Sequence, residues 1–139
     1  MDRETLYDYA ITLLEELIAT RSFSSEEDKT ASAIETWLTA FNIPHQRAKN
    51  NVYAFNKHFD KAKPNLLLNS HHDTVKPNKA YTKDPFLPHV ENGKLYGLGS
   101  NDAGGCLVSL LATFSHFYDQ ENLSHNTVSY THLTLPTKA

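Results

Sequence analysis

The chain has 139 residues, 40% of them hydrophobic with all three aromatic types present, which suffices for one core and one domain and argues against a second. Its 13 basic and 16 acidic residues give a formal charge of -3 and are scattered along the chain, so no basic face or tail points to nucleic acid or to an anionic membrane as partner. The lone cysteine, Cys106, excludes an internal disulfide and a cysteine zinc cage; with no secretion-signal pattern at the start and no run near the ~18 apolar residues of a membrane span, a soluble cytoplasmic chain is expected.

Leu6, Ala10, Leu13, Leu14, Leu17 and Ile18 recur at steps of three and four, with Asp8, Glu15 and Glu16 opposite; this predicts an amphipathic helix over residues 3–20. Ser24, followed three residues later by Glu27, reads as a capping box in which each side chain satisfies the other's free backbone N–H. A second helix is expected from there to about Phe41, with Ala31, Ile34, Leu38 and Phe41 facing inward. HQRA (45–48), NVYAFN (51–56) and NLLLNS (65–70) follow as short extended runs. Apolar side chains on both faces of NLLLNS predict a central strand covered on each side. NKAYTKDPFLPHVENGKLYG carries the turn signals DP, LP and NG and reads as a long loop with a small hairpin.

A stripe of Leu107, Leu110, Leu111 and Phe114 predicts a third helix beginning near Ala103. Trp37 and Cys106 are expected in the core. The elements together make an α/β fold without internal repeats. The segment VSYTHLTLPT resembles the in-frame translation of a sequencing adapter, so residues 128–139 are set aside as a non-native tail and residues 1–127 are taken as the domain. On that reading the gene continues, and the chain is the N-terminal part of a longer protein.

Chemistry enters where the apolar run ends, at NSHHDTVKP (69–77). Side chains alternate along a strand, so His71 and Asp73 share one direction and His72 takes the other. An imidazole that binds a metal through one nitrogen generally has its other N–H held by a carboxylate, and the pair His71 and Asp73 meets that need. The crevice beyond the carboxyl ends of strands in an open α/β sheet is also where ligands collect. By itself His-x-Asp is more often the mark of a structural histidine or a solvent-facing loop than of a metal ligand.

The second segment is GLGSNDAGG (97–105). Gly97 and Gly99 open backbone conformations closed to other residues, and Gly104 with Gly105 lets the following helix approach a neighbour closely. Asp102 stands just before that helix, where a carboxylate also serves as a plain N-cap. A dinucleotide fingerprint would need glycine at 102, and a phosphate loop would need Lys and Ser or Thr where Gly105 and Cys106 stand, so phosphate cradles are excluded. His45, His58, His89, His116 and His125 lack a ligand-like pairing and read as surface or partly buried residues.

Taken together, LLLNSHHDTVKP and YTKDPFLPHVENGKLYGLGSNDAGG followed by an apolar helix resemble the first half of the catalytic domain of the M20 family of zinc peptidases and amidohydrolases, over roughly residues 5–120. The resemblance implies a partial three-layer αβα domain with a mostly parallel or mixed central sheet. It makes His71 a metal ligand, Asp73 the catalytic-site carboxylate that orients it, and Asp102 a ligand bridging two zinc ions, with cobalt as an alternative metal.

The KDPF and NGKLYGLGSNDAGG wording is most similar to acetylornithine deacetylase-like members. That implies hydrolysis of the amide of a small N-acyl amino acid in arginine biosynthesis, with a homodimer for the full-length enzyme. Succinyl-diaminopimelate desuccinylases, M20 dipeptidases and carboxypeptidases stay open as alternatives. So does a non-catalytic α/β module in which the three residues satisfy one another. The family's general-base glutamate and remaining metal ligands have no counterpart in residues 103–139, and Glu121 comes too early for that role. By resemblance, therefore, the chain is a fragment inactive alone.

Overall fold

The structure, a computed structural model, describes residues 1–131. Helix α1 (Arg3–Ala19) starts at an N-cap, Asp2, whose carboxylate accepts from the Thr5 backbone N–H at 2.9 Å and from its hydroxyl at 2.9 Å. The predicted stripe of Leu6, Ala10, Leu13, Leu14, Leu17 and Ile18 is its buried side. Helix α2 (Asp28–Ala40) buries Ala31, Ile34, Trp37 and Leu38. Its start departs from the capping-box expectation, because Glu27 is the N-cap residue and makes no side-chain cap bond. Ser24 instead donates to Asp73, 49 residues away.

Strands β1 (Gln46–Ala48) and β2 (Asn51–Phe55) form an antiparallel pair; β3 (Asn65–Ser70) follows, then a hairpin of β4 (His89–Glu91) and β5 (Lys94–Tyr96). The NG turn of that hairpin has Asn92 at φ 51° and Gly93 at φ 72°, the two positive values a tight primed turn requires. Across the hairpin Lys83 donates to Glu91 at 2.9 Å, and this hydrogen bond together with the lysine's charge holds the Glu91 carboxyl below its ordinary range. Helix α3 (Gly105–Phe117) then crosses back to β6 (Asn126–Thr131).

The main sheet is mixed, in the order β1-β2-β6-β3, with β6 antiparallel to β2 and parallel to β3. Its helical side is one core in which α1, α2 and α3 pack with Val52 and Ala54 of β2, with Phe114 fully buried. The opposite side carries Tyr53 stacked on Tyr130 at 5.6 Å, with Phe55 edge-on to Tyr53. Among the described residues β3 is therefore an edge strand rather than a central one, and Leu66 and Leu67 are each 52% exposed. An apolar run of this kind fits a strand open on one edge as well as one covered on both sides, and only the later insertion of β6 settles which it is. Cys106 is exposed on α3 rather than buried, one position off the core stripe.

Residues 128–131, set aside in reading the sequence, form most of β6, and residues 132–139 lie outside the described residues. This strand puts hydroxyl side chains in the interior. Thr127, Ser129 and Thr131 are all buried, and Thr131 Oγ1 donates to the Val52 carbonyl at 3.1 Å. Thr127 Oγ1 is buried without a hydrogen-bond partner among the described residues, the arrangement in which a polar atom costs most. Replacing it by an isosteric methyl, Thr127→Val, is expected to raise the unfolding free energy by about 1–2 kcal/mol, measured by urea denaturation of the chain against wild type.

Candidate metal centre

The geometry of the site begins at the carboxyl end of β3. Ser70 is the last strand residue, and the backbone of 71–74 continues along residues 22–24. There Ser22 Oγ donates to the His72 carbonyl at 2.9 Å, the Thr74 N–H donates to the Ser22 carbonyl at 2.7 Å, and Phe23 and Thr74 form a parallel bridge. The alternation expected of a strand persists through this segment, so His71 and His72 point to opposite sides and enter different environments.

His72 goes inward, 5% exposed. Its Nδ1 lies 2.7 Å from Thr30 Oγ1 on α2, and its Nε2 donates to the Asn50 carbonyl at 3.0 Å. Asn50 is itself held by Arg47, which also reaches Glu35, Ser32 and the Asp28 carbonyl on α2. This histidine joins three elements and is a structural one, in keeping with its reading as facing away from the site.

His71 goes outward to a ring with a carboxylate at each nitrogen. Nδ1 lies 3.1 Å from Asp73 Oδ1 and Nε2 lies 3.1 Å from Asp102 Oδ1. The side chain of His71 is 39% exposed and that of Asp102 is 89% exposed, so this pair faces solvent at the rim of the sheet. The three residues singled out in the sequence, His71, Asp73 and Asp102, thus stand in one contiguous group. Of the remaining histidines, His45 bonds the Ile43 carbonyl, His89 approaches Glu91 at 3.9 Å, and His125 pairs with Ser124; none joins the group.

Asp102 reaches His71 through an irregular turn, Ser100–Gly104, in which Asp102 itself is non-helical. It is not the cap of α3, since Gly104 occupies that position and no side chain caps the helix; α3 accordingly begins at Gly105, two residues beyond the expected start. Two glycines make the turn sterically accessible. Gly99 sits at φ 77°, and a Cβ there would meet Thr74 Cγ2 at 2.7 Å. At Gly104 an added Cβ would lie 2.7 Å from both the Gly99 carbonyl oxygen and Leu14 Cδ1. The glycines bring the turn against α1 and against residue 74, and so carry Asp102 to His71.

A metal can be tested against this donor set. With zinc bonds of roughly 2.0 Å, two ligands on one tetrahedral ion stand about 3.3 Å apart, close to the 3.1 Å between His71 Nε2 and Asp102 Oδ1. A cation at Nε2 takes the place of the Asp102 contact and leaves Nδ1–H directed at Asp73, whose main-chain carbonyl accepts from it at 3.2 Å with the carboxylate Oδ1 3.1 Å away. The donors therefore fit. They are incomplete, since among the described residues no three His, Cys, Asp or Glu side chains are grouped to hold an ion. Glu121 is exposed beyond the far end of α3, about 20 Å along the helix from Gly105. An open recess of about 370 Å³ beside the pair is lined by His71, Asp73, Tyr81, Ser100 and Asp102 among others.

Sequence reasoning missed Ser24 as a neighbour of the site, having assigned it to a helix cap. It also missed that residues 22–24 run alongside residues 72–74. No local pattern signals either, because both depend on contacts about 50 residues apart.

Comparison with known proteins places this geometry in context. Residues 67–132 match the model of peptidase family M20/M25/M40. The chain is 32% identical over 130 residues to the acetylornithine deacetylase of Proteus mirabilis (strain HI4320), covering 83% of this chain and 33% of that protein. It is 28% identical over 127 residues to the succinyl-diaminopimelate desuccinylase of Blochmanniella floridana, covering 86% of this chain and 33% of that protein. Its fold superposes on the M20 family metallo-carboxypeptidase Sso-CP2 from Sulfolobus solfataricus with a TM-score of 0.72 and 25% identity, over 95% of this chain and 31% of that one. The chain thus spans about a third of the length of the curated relatives it matches. No helix among the described residues is long and apolar enough to cross a membrane.

The two adjacent histidines should separate on mutation. His72→Phe, which keeps volume and removes both ring nitrogens, is expected to lower stability by about 1–3 kcal/mol for each buried partner left unpaired. His71→Ala, which removes only solvent-facing ion pairs, should change stability by less than about 1 kcal/mol. Equilibrium urea unfolding of both variants checks this.

Proposed function

Because residues 67–132 match the model of peptidase family M20/M25/M40, we propose that the whole protein is a metal-dependent hydrolase of the amide bond of N-acyl amino acids, to which this chain contributes His71 and Asp102 as metal ligands and Asp73 as the residue that orients His71. The observation that carries the reading is the imidazole set between two carboxylates, 3.1 Å from each. One carboxylate fixes the ring's tautomer and direction, while the other sits where a shared ion would need it.

Zinc is the ion the nitrogen and carboxylate donors suit, with cobalt as its substitute. By the family resemblance a pair of ions would be held, with His71 and Asp102 among their ligands. Bound there, such ions supply an activated water and polarise the scissile carbonyl. What the chain's own residues do is prepare that chemistry. Asp73 keeps Nδ1 protonated so that Nε2 is the free donor, the glycine turn delivers the Asp102 carboxylate, and the recess beside them leaves room for a small substrate. The general base and the remaining ligands come from outside this chain, which makes it inactive by itself.

The substrate reading is an N-acyl amino acid because both relatives described above cleave acyl groups from amino-acid amines by name, one acetyl and one succinyl. N-acetylornithine is the reading favoured by the KDPF and NGKLYGLGSNDAGG segments, and it would place the enzyme in arginine biosynthesis in the cytoplasm. N-succinyl-diaminopimelate has equal support from the relatives. A homodimer is the assembly proposed for the whole protein.

The test is an assay of the whole protein against N-acetylornithine, N-succinyl-diaminopimelate and a plain dipeptide, with and without a chelator. One of the acylated amino acids should be turned over at least about tenfold better than the dipeptide. Activity should vanish on chelation and return with zinc or cobalt. His71→Ala should cost more than the roughly 10–100-fold typical of changes one shell further out. Preference for the dipeptide would make it a peptidase instead. A protein with no bound metal and no hydrolysis would leave only the non-catalytic module.

A further inference from the structure

We propose that Ser24 is a positioning residue for the metal centre, acting through Asp73; this rests on the reading of His71 and Asp102 as ligands given above. The two oxygens of the Asp73 carboxylate have different neighbours. Oδ1 faces His71 Nδ1 at 3.1 Å, and Oδ2 accepts the Ser24 hydroxyl at 2.7 Å. The second distance lies within the range expected of a hydroxyl bonded to an ionised oxygen, at its upper limit. A carboxylate held at both oxygens cannot rotate to offer the ring a different lone pair without breaking one bond. Its direction, together with the Asp73 main-chain carbonyl 3.2 Å from the same Nδ1, fixes the imidazole's tautomer and its aim.

Ser24 is in turn delivered by a built feature. Ser22 Oγ donates to the His72 carbonyl at 2.9 Å, the Thr74 N–H donates to the Ser22 carbonyl at 2.7 Å, and Phe23 bridges Thr74. Immediately afterwards the chain turns, with Ser25 at φ 75° and the Glu26 N–H donating to the Phe23 carbonyl at 2.7 Å. This strap sets residues 22–24 alongside residues 72–74, so Ser24 meets Asp73 across it. The helix that follows shows what the hydroxyl is not doing. A serine three residues before a glutamate at a helix start ordinarily caps that helix, yet α2 has no side-chain cap bond. The hydroxyl serves the site and not the helix.

The consequence is a chain of control running from Ser24 to Asp73 to His71 to the ion. It predicts an effect on metal affinity that depends on Asp73. In the whole protein, zinc affinity is measured by competition with a chromophoric chelator for Ser24→Ala, Ser24→Thr, Asp73→Ala and the double variant Ser24→Ala/Asp73→Ala, together with the visible spectrum of the cobalt form and the melting temperature of the metal-free protein. Ser24→Ala should weaken zinc binding by about 3–10-fold, at or below the lower end of outer-shell effects, shift the cobalt spectrum, and leave the metal-free melting temperature in place. Ser24→Thr, which keeps the hydroxyl, should restore affinity to within about twofold of wild type. In the Asp73→Ala background the serine change should cost nothing further. Wild-type affinity in Ser24→Ala, or an equal loss with and without Asp73, would overturn the positioning role while His71→Ala still abolishes binding. A wild-type protein whose zinc affinity His71→Ala leaves unchanged would instead overturn the ligand reading beneath it.

Discussion

The site depends on one imidazole gripped at both nitrogens. His71 is useful only if its ring cannot turn, and the structure restrains it through Asp73 on Nδ1 and Asp102 on Nε2. Those two contacts differ in kind. Asp73 lies two residues along the same backbone, so its approach follows from strand alternation alone. Asp102 lies 31 residues away and arrives only because Gly99 takes a left-handed conformation and Gly104 packs against Leu14 and the Gly99 carbonyl. The contact between a sheet rim and the turn before α3 is therefore the tertiary feature on which any shared ion rests.

The neighbouring histidine shows how the same residue type divides its labour. His72 is turned inward by the alternation that turns His71 outward. Its bonds to Thr30 and to the Asn50 carbonyl tie β3's end to α2 and to the turn between β1 and β2. Holding the backbone of residue 72 this firmly also holds the residue before it, so a buried histidine steadies its solvent-facing neighbour. The strap of residues 22–24 adds a second hold from the other side. In physical terms the rim is braced by buried hydrogen bonds that solvent does not weaken, while the exposed pair of His71 and Asp102 contributes little stability of its own.

Much of this was legible in the sequence, and for definable reasons. Periodicity marked α1 and the inward side of α2, since those helices bury a single stripe against one core. The NG turn marked the β4–β5 hairpin because two successive positive φ values admit few residue types. The trio His71, Asp73 and Asp102 could be named because the two segments that carry them resemble the M20 family; strand alternation and glycine spacing alone left a structural histidine and a helix cap open. What stayed illegible was set by long-range pairing. The place of β3 at the edge among the described residues, the course of residues 22–24 beside 72–74, and the diversion of Ser24 from helix cap to carboxylate are all decided by chain segments distant in sequence. The strand β6 was hardest to read. Residues 128–131 are set aside for their likeness to an adapter, and the buried hydroxyls of Thr127, Ser129 and Thr131 beneath the helices give no apolar alternation by which a strand could be read.

The claim at the centre is that His71 and Asp102 hold one cation between them. Its most direct measurement is a crystal structure of the zinc-loaded whole protein with data collected on both sides of the zinc absorption edge. The account predicts an anomalous peak about 2.0–2.2 Å from both His71 Nε2 and an Asp102 carboxylate oxygen, with Asp73 still bonded to Nδ1. A structure in which the zinc lies on other residues, such as His45 or His89, while His71 and Asp102 remain hydrogen-bonded to each other, would contradict it.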